Sequence, residues 1–275
     1  MPELPEVERT VRRLRTWLRG RTLDALLHVD PRILKEGSPQ ALAQAIAGQR
    51  VASITRRAKY ILLALRGPDS LLLHLGMTGK MVRREPGAGV PYSRFAIRLS
   101  ARQGRDSAAL HLVDPRLFGK VRLTPTATLR RHPSLAGIGP EPLARAFTPA
   151  VLGAALARRR IPLKVALMDQ AVVAGIGNIQ AAEGLWKAKL DPFRPANALS
   201  SSELTRLVNG IRWTLTESLA RDRGAETTYV SESADENPFI IYGRAGEPCP
   251  RCRRPIERKV LAGRGTYWCP NCQLA

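Results

Sequence analysis

The sequence predicts an α+β multidomain protein: a leading helix and a β-sandwich or barrel, a helical middle, and a C-terminal zinc ribbon. Three observations carry this reading. Short apolar or alternating runs, punctuated by Gly, Pro and Asp, fill the chain from Thr22 to about Leu123. Beyond a Pro/Gly-rich stretch the pattern changes to helical periodicity. All four cysteines fall within the last 27 residues, in two C-x-x-C pairs.

Residues 1–20 read as a helix. Pro5 suits a first turn, Glu6 and Glu8 suit the positive end of the helix dipole, and Gly20 can end it. Val7, Val11, Leu14 and Leu18 then share one face. Strand-like runs follow at 51–55, 60–65, 71–75, 95–99 and 109–113, with a short helix over Ala41–Ile46. These define an N-terminal domain over 1–130. A linker over 131–147 leads to a helical domain over 148–236, with helices predicted at about 149–158, 162–170, 178–189 and 201–222. Thr148-Pro149 starts the first of them, and Ser200-x-x-Glu203 is a capping box for the last. Leu204, Leu207, Val208, Ile211, Leu215 and Leu219 form its apolar stripe. The polar segment 223–238 reads as a mobile loop, and 237–275 as a small cysteine-bearing module.

The 275 residues allow one large domain or two to three small ones, and 44% hydrophobic content is enough for ordinary cores. The net charge of +21 is far from ordinary. A field of that sign gathers polyanions, so nucleic acid is the leading partner and an anionic membrane surface the second. Aromatic residues make up only 5%, which argues against a stacking platform for single strands. Arginine supplies most of the positive charge, with eight lysines among 44 basic residues. The first twenty residues alternate in charge without a signal-peptide core, and no apolar run approaches a membrane span. With cysteine usage suited to a reducing compartment, the expected location is the cytoplasm, on the nucleoid.

The N-terminus carries the first candidate chemistry. Once Met1 is removed, Pro2 is a secondary amine beside the Glu3 carboxylate. An α-amino group titrates at roughly 7.7–8.0, so it can act as a neutral nucleophile in Schiff-base catalysis. The helix dipole behind it lowers that value further. At the other end, Cys249-x2-Cys252-x16-Cys269-x2-Cys272 has the spacing of a closed tetrahedral zinc site, with disulfide pairing and iron–sulfur ligation as the minor alternatives. Between the pairs lie two hairpin strands, 255–260 and 266–268, whose turn 262–265 presents Arg264 as either a groove-entering or a solvated residue. Val173-Ala-Gly-Ile-Gly-Asn178 joins two helices as a phosphate-approach turn or a plain helical hairpin. Lys59 ends a basic run before a strand. Met77 lies on a Gly-flanked turn, and Arg116 and Phe118 lie on another. Such side chains serve as wedges that displace a base, or as ordinary core and surface residues.

Eight strings occur together and in register: PELPEVE at 2–8, RRAKY at 56–60, HLGMTG at 74–79, DPRLFG at 114–119, GPEPL at 139–143, LMDQ…VAGIGNI at 167–179, YGRAGEPC at 242–249 and the cysteine ribbon. On these residues the chain resembles the formamidopyrimidine-DNA glycosylase/endonuclease VIII family over nearly its full length. The resemblance implies an N-terminal β-sandwich with a leading helix, a helix-two-turns-helix domain and a zinc finger, with DNA in the cleft between the halves. It implies a bifunctional DNA glycosylase/AP lyase that removes oxidised purines (8-oxoguanine and formamidopyrimidines) and cuts by β,δ-elimination. Pro2 would attack C1′, Glu3 would protonate the sugar ring oxygen, and Glu6 would support them. Lys59, Asn178 and Arg264 match a phosphate clamp, and Lys59 is also implied as a catalytic residue with Pro2, Glu3 and Glu6. Lys164 lies where the family has another DNA- or lesion-contacting lysine, and Met77, Arg116 and Phe118 match a void-filling triad. One structural zinc is implied, no redox cofactor, and double-stranded damaged DNA as partner. No membrane partner is expected, and a monomer suffices for a cleft within one chain.

PELPE and the Met/Arg/Phe triad point to the formamidopyrimidine branch. Two departures bear on the base preferred. Segment 223–238 is shorter than the lesion-capping loop of 8-oxoguanine-processing members, and Gln180 stands where relatives carry Tyr. Preference for oxidised pyrimidines or abasic sites is therefore the alternative within the same chemistry. A non-catalytic damaged-DNA-binding protein is the alternative from another class, although it would be expected to have lost Pro2 or Glu3. A zinc-ribbon RNA-binding factor finds no support in residues 1–130.

Overall fold

A computed structural model describes residues 2–101, 107–221 and 237–274. The chain divides into two compact units, with the boundary between Ala136 and Gly137. The expectation of a mobile loop at 223–238 falls almost entirely outside the described residues.

The first unit opens with helix α1 (Leu4–Leu18), which begins one turn later than the sequence predicts because Glu3 is its N-cap. Glu3 and Glu6 form a reciprocal capping box, and Gly20 takes a left-handed φ of 69° just past the end. Val7, Val11, Leu14 and Leu18 are all buried, as their spacing predicts. Helix α2 (Pro39–Ile46) starts at Ser38, whose side chain accepts from the Ala41 N–H.

Nine strands follow the order β2-β9-β5-β4-β3-β1-β7-β8-β6. They are β1 (Thr22–Val29), β2 (Leu34–Glu36), β3 (Gln49–Arg57), β4 (Tyr60–Leu65), β5 (Asp69–His74), β6 (Lys80–Arg84), β7 (Ser93–Leu99), β8 (Ala108–Val113) and β9 (Lys120–Pro125). The leaf from β2 to β3 meets the leaf from β1 to β6 through only two residue pairs, Thr22↔Arg50 and Leu23↔Gln49. Both leaves and both helices contribute to one apolar cluster, which includes Leu14, Ile46, Ile61, Leu73, Phe95 and Leu110. This is the expected sandwich. Each fully buried large apolar side chain adds roughly 1.5–3 kcal/mol, so the shared core holds the leaves face to face. Strands β1, β2, β6 and β9 did not stand out as separate runs; in β6 and β9 basic residues interrupt the apolar pattern (Lys80, Arg83 and Arg84; Lys120 and Arg122). Helix α3 (Pro133–Ala136) closes the unit inside the predicted linker.

In the second unit, α4 (Pro149–Leu156), α5 (Leu163–Met168), α6 (Asn178–Ala188) and α7 (Ser201–Ala220) fall within the predicted helical stretches. Thr148 caps α4, and Ser200 with Glu203 boxes α7. Helices α6 and α7 approach so closely that a Cβ on Gly210 would lie 2.5 Å from the Gly184 carbonyl oxygen. Leu207, Val208, Ile211 and Leu215 bury the α7 stripe. A hairpin of β10 (Glu257–Leu261) and β11 (Arg264–Trp268) completes the unit. Leu261 pairs with Arg264, and Ala262 and Gly263 both have positive φ, at 48° and 73°. The connection is therefore a two-residue turn of the kind that matches strand twist. Arg264 is the first residue of β11 rather than the apex of a four-residue turn. Among the described residues no helix is long and apolar enough to cross a membrane.

Candidate active site and zinc centre

The fold buries the N-terminal residues named by the sequence. Pro2 is buried, and Glu3 is only 2% exposed at the head of α1. Glu6 Oε2 accepts the Glu3 backbone N–H at 2.9 Å, which ties the segment carrying Pro2 to the first helical turn. Burial raises the Glu6 pKa above its ordinary range, and the neighbouring Glu3 carboxylate raises it further. Arg9, 3.9 Å from Glu6 Oε1, works in the opposite direction. Pro2 and the carboxylates of Glu3 and Glu6 thus lie within five residues. This arrangement suits stepwise proton transfer at one carbon.

Lys59 is 7% exposed in the turn between β3 and β4. The turn is unusual in placing Ala58 at a φ of 49°, and Arg56 braces it by donating to the Ala58 carbonyl at 3.1 Å and to Glu8 at 3.0 Å. The nearby His74 imidazole is held neutral. Burial, and then the charges of Lys59, Lys120 and Arg122, bring its pKa down to about 4. Its Nδ1 accepts the Gly76 N–H at 3.0 Å and so shapes the next turn. The four histidines lack metal-ligand spacing in the sequence. The usable signal was His74 directly before the Gly-flanked Met turn.

Met77 (36% exposed) and Phe118 (46% exposed) project from two neighbouring loops. Arg116 is exposed on the second loop, with its guanidinium carbon 5.1 Å from the centre of the Phe118 ring. Large apolar side chains left in water at loop tips are available to fill a vacated base position.

In the second unit, Lys164 and Asn178 meet at the Gly265 carbonyl, one residue along the chain from Arg264. Lys164 Nζ donates to the Gly265 oxygen at 3.0 Å and to Thr266 Oγ1 at 2.8 Å, and Asn178 Nδ2 donates to the same Gly265 oxygen at 3.1 Å. Lys164 is 1% exposed, so its ammonium faces the hairpin beside Arg264 and not open solvent. Asn178 is the first residue of α6, with Gly177 as N-cap, and its amide also donates to the Tyr242 hydroxyl at 3.3 Å. The sequence did not single out Tyr242, although it lies within YGRAGEPC. Glu183, also missed, fixes that segment by accepting the N–H groups of Ile240, Ile241 and Tyr242 at 2.9–3.0 Å. Gln180, in the position where Tyr was expected, is buried and bonds Thr214 and Ser218 of α7 at 2.9 Å each.

The four cysteine sulfurs lie within 4.8 Å of one another. Cys249 and Cys272 are 4.0 Å apart and Cys252 and Cys269 are 3.4 Å apart, too far for disulfides. Four thiolates at about 2.3 Å from a tetrahedral zinc stand about 3.8 Å from each other, so the set fits that ion. Without a cation, crowding and burial push Cys272 up to about 12, while backbone N–H groups hold Cys252 down to about 6. A divalent charge at the centre removes this conflict by favouring all four thiolates. All four positions are protein ligands, so the zinc is structural.

A buried N-terminal residue beside paired carboxylates, a two-leaf sandwich, a helical unit and a thiolate-bound hairpin define a DNA-acting, zinc-stabilised protein. Family models match in the same order: the formamidopyrimidine-DNA glycosylase N-terminal domain over 1–121, its H2TH domain over 138–230, and the zinc finger found in FPG and IleRS over 246–275. The formamidopyrimidine-DNA glycosylases of Chloroflexus aurantiacus and Thermus thermophilus are each 41% identical, covering 100% and 99% of this chain and 98% of each relative. The crystal structure of the MutM (Fpg) protein from Thermus thermophilus superposes with a TM-score of 0.82 at 40% identity, covering 99% of this chain and 98% of that one. The Lactococcus lactis Fpg bound to DNA containing N7-benzyl-Fapy-dG gives 0.89 at 29% identity, with full coverage of both chains. The chain belongs to the formamidopyrimidine-DNA glycosylase family.

Proposed function

We propose that this chain is a bifunctional DNA glycosylase and AP lyase of base-excision repair, removing oxidised purines such as 8-oxoguanine and formamidopyrimidines from duplex DNA. The observation that carries the mechanism is the buried start of α1. Pro2 and Glu3 sit at the positive end of the helix, with Glu6 bonded back to Glu3.

In the proposed reaction, Met1 is removed and the neutral Pro2 nitrogen attacks C1′ of an extruded nucleotide. The C1′–N bond to the base breaks, and its electron pair leaves with the base. Glu3 protonates the sugar ring oxygen, so the ring opens to an iminium on Pro2. The iminium acidifies the C2′ hydrogen, β-elimination expels the 3′ phosphate, and δ-elimination expels the 5′ phosphate. Glu6 positions Glu3 and accepts protons as its environment allows. Extrusion costs a few kcal/mol, met by phosphate contacts from Lys59, Asn178 and Arg264 and by Met77, Arg116 and Phe118 in the gap. Lys164 supports this clamp through the hairpin. Water adds to the final iminium and its hydrolysis returns the Pro2 amine, and no electrons are exchanged with a cofactor.

The working division is a catalytic domain over 1–130, a linker over 131–147, a DNA-binding domain over 148–236 and a zinc finger over 237–275, acting as a monomer in the cytoplasm on the nucleoid. A second lesion class is favoured by one observation: a Lactococcus lactis Fpg solved with DNA containing an oxidised pyrimidine is 30% identical, with a TM-score of 0.88. Borohydride trapping on duplexes carrying 8-oxoguanine, an oxidised pyrimidine or an abasic site tests both readings. A covalent complex with 8-oxoguanine supports the purine reading. A complex with the pyrimidine or abasic DNA alone moves the substrate. No complex with any of them, in protein lacking Met1, contradicts the enzyme reading.

A further inference from the structure

The loops that carry Met77 and Phe118 are built as a pair. Strand β5 leaves one leaf at His74, and residues 75–79 carry the chain to β6 in the other leaf. Strand β8 leaves that second leaf at Val113, and residues 114–119 carry the chain back to β9 in the first. His74 pairs with Lys120, and Lys80 pairs with Val113, so each loop starts where the other ends. Two crossings at the same end of a sandwich run side by side in opposite directions.

A single carboxylate occupies the space between them. Asp114 is fully buried. Its Oδ1 accepts from the Thr78 hydroxyl of the first loop at 3.0 Å and from the Arg116 N–H of its own loop at 3.3 Å. Its Oδ2 accepts the Gly119 N–H at 2.6 Å. A buried carboxylate costs stability unless its lone pairs are filled, and here they are filled from both loops. The backbones also touch: a Cβ on Gly76 would lie 2.6 Å from the Gly119 nitrogen. The Gly79 N–H closes the first loop on the Leu75 carbonyl at 2.9 Å. Thr78 follows Met77 directly, and Arg116 and Gly119 bracket Phe118 from the other side. The Asp114 carboxylate and the Gly76–Gly119 approach are therefore constraints that the two wedge loops share.

The geometry points to Asp114 and Thr78 as positioning residues that lock Met77, Arg116 and Phe118 into one preformed wedge, so that the three enter a duplex together. This rests on the wedge reading given above, and it adds that the hydroxyl-to-carboxylate bond sets the geometry. An inserted group displaced by about 1 Å can lose up to a hundredfold in rate, so cutting the Thr78–Asp114 bond between the loops has a measurable effect. The lone pairs of Asp114 that face its own loop stay filled in Thr78→Val, so the fold is retained.

The test compares Thr78→Val, Thr78→Ser and Met77→Ala on a duplex carrying the preferred lesion with 2-aminopurine beside it. Stopped-flow fluorescence reads the displacement step, and single-turnover cleavage reads the chemistry. Thr78→Val should slow the displacement phase by about tenfold, a fraction of what a full misplacement costs. Thr78→Ser keeps the hydroxyl and should stay within about twofold of the parent on the same scale. A normal displacement phase in Thr78→Val, with Met77→Ala slowed, would overturn the locking role and leave the wedge reading intact. Equal slowing in Thr78→Val and Thr78→Ser would also overturn it, because the hydroxyl would then not be responsible. A normal phase in Met77→Ala would remove the wedge reading itself.

Discussion

The Glu6 carboxylate holds the backbone N–H of Glu3 at 2.9 Å, so the residue next to Pro2 is fixed by the helix it caps. The same carboxylate is partly buried beside Glu3, and both effects raise its pKa. A carboxyl that binds its proton more tightly when folded makes stability fall as pH rises from its unfolded pKa, near 4.5, through its raised folded value. Glu6→Gln should remove that pH dependence while keeping an acceptor for the Glu3 N–H. Denaturant midpoints measured from pH 4 to 8 should therefore decline less for the variant than for the parent. Parallel curves would show that Glu6 is not the group responsible.

Lys164 and Arg264 are neighbours in space with different tasks. The Lys164 ammonium is spent on Gly265 and Thr266. Lys164→Met should cost about 1–3 kcal/mol through the broken hydrogen bonds, and should weaken DNA binding by loosening the hairpin. It should leave the salt slope of binding nearly unchanged. Arg264→Ala should reduce that slope by about 0.9, the value for one phosphate contact on duplex DNA. Binding titrations across a salt series separate the two. A lower slope in Lys164→Met would return that lysine to the DNA-contacting set.

His74 gives the first unit an acid-sensitive turn. Its pKa is lowered to about 4, so the unfolded chain binds its proton more readily than the folded one. Stability should therefore fall as pH drops from about 6.5 towards 4, the window set by the unfolded and folded values. His74→Asn keeps an acceptor for Gly76 and removes the titration. Its thermal midpoint should change less over that window, as followed by circular dichroism; an unchanged pH profile would contradict the assignment.

The hairpin depends on its metal. Chelation, or Cys252→Ser, should release the β10–β11 turn and with it Arg264, because a module this small has little core of its own. DNA affinity should collapse while the sandwich keeps its fold, seen as a surviving unfolding transition alongside lost binding. Retained affinity in metal-free protein would show that the hairpin folds without zinc.

Much of this was legible in the sequence where periodicity and caps speak locally. The α1 face, the Thr148 and Ser200 caps and the cysteine spacing each depend on residues only a few positions apart. What was hidden depends on distant partners. Nothing near Lys164 indicates that its ammonium meets Gly265, about a hundred positions away, and the buried carboxylates Asp114 and Glu183 became visible only when their backbone donors were placed. Strand β6 was masked by basic residues that its place at a leaf edge tolerates, and β9, between β2 and β5, by Lys120 and by Arg122, whose charge Glu36 of β2 meets. Arg264 was placed at an apex because glycines flank it, but strand pairing continues one step further and leaves Ala262 and Gly263 as the turn.

In the proposed mechanism the Pro2 nitrogen carries the reaction. The direct measurement is peptide mapping by mass spectrometry of the borohydride-reduced protein–DNA complex, using protein whose Met1 has been removed. The sugar remnant is expected on the N-terminal peptide, on the Pro2 nitrogen, with no complex from Pro2→Gly at a comparable rate. A remnant on a lysine, or undiminished trapping by Pro2→Gly, would contradict it.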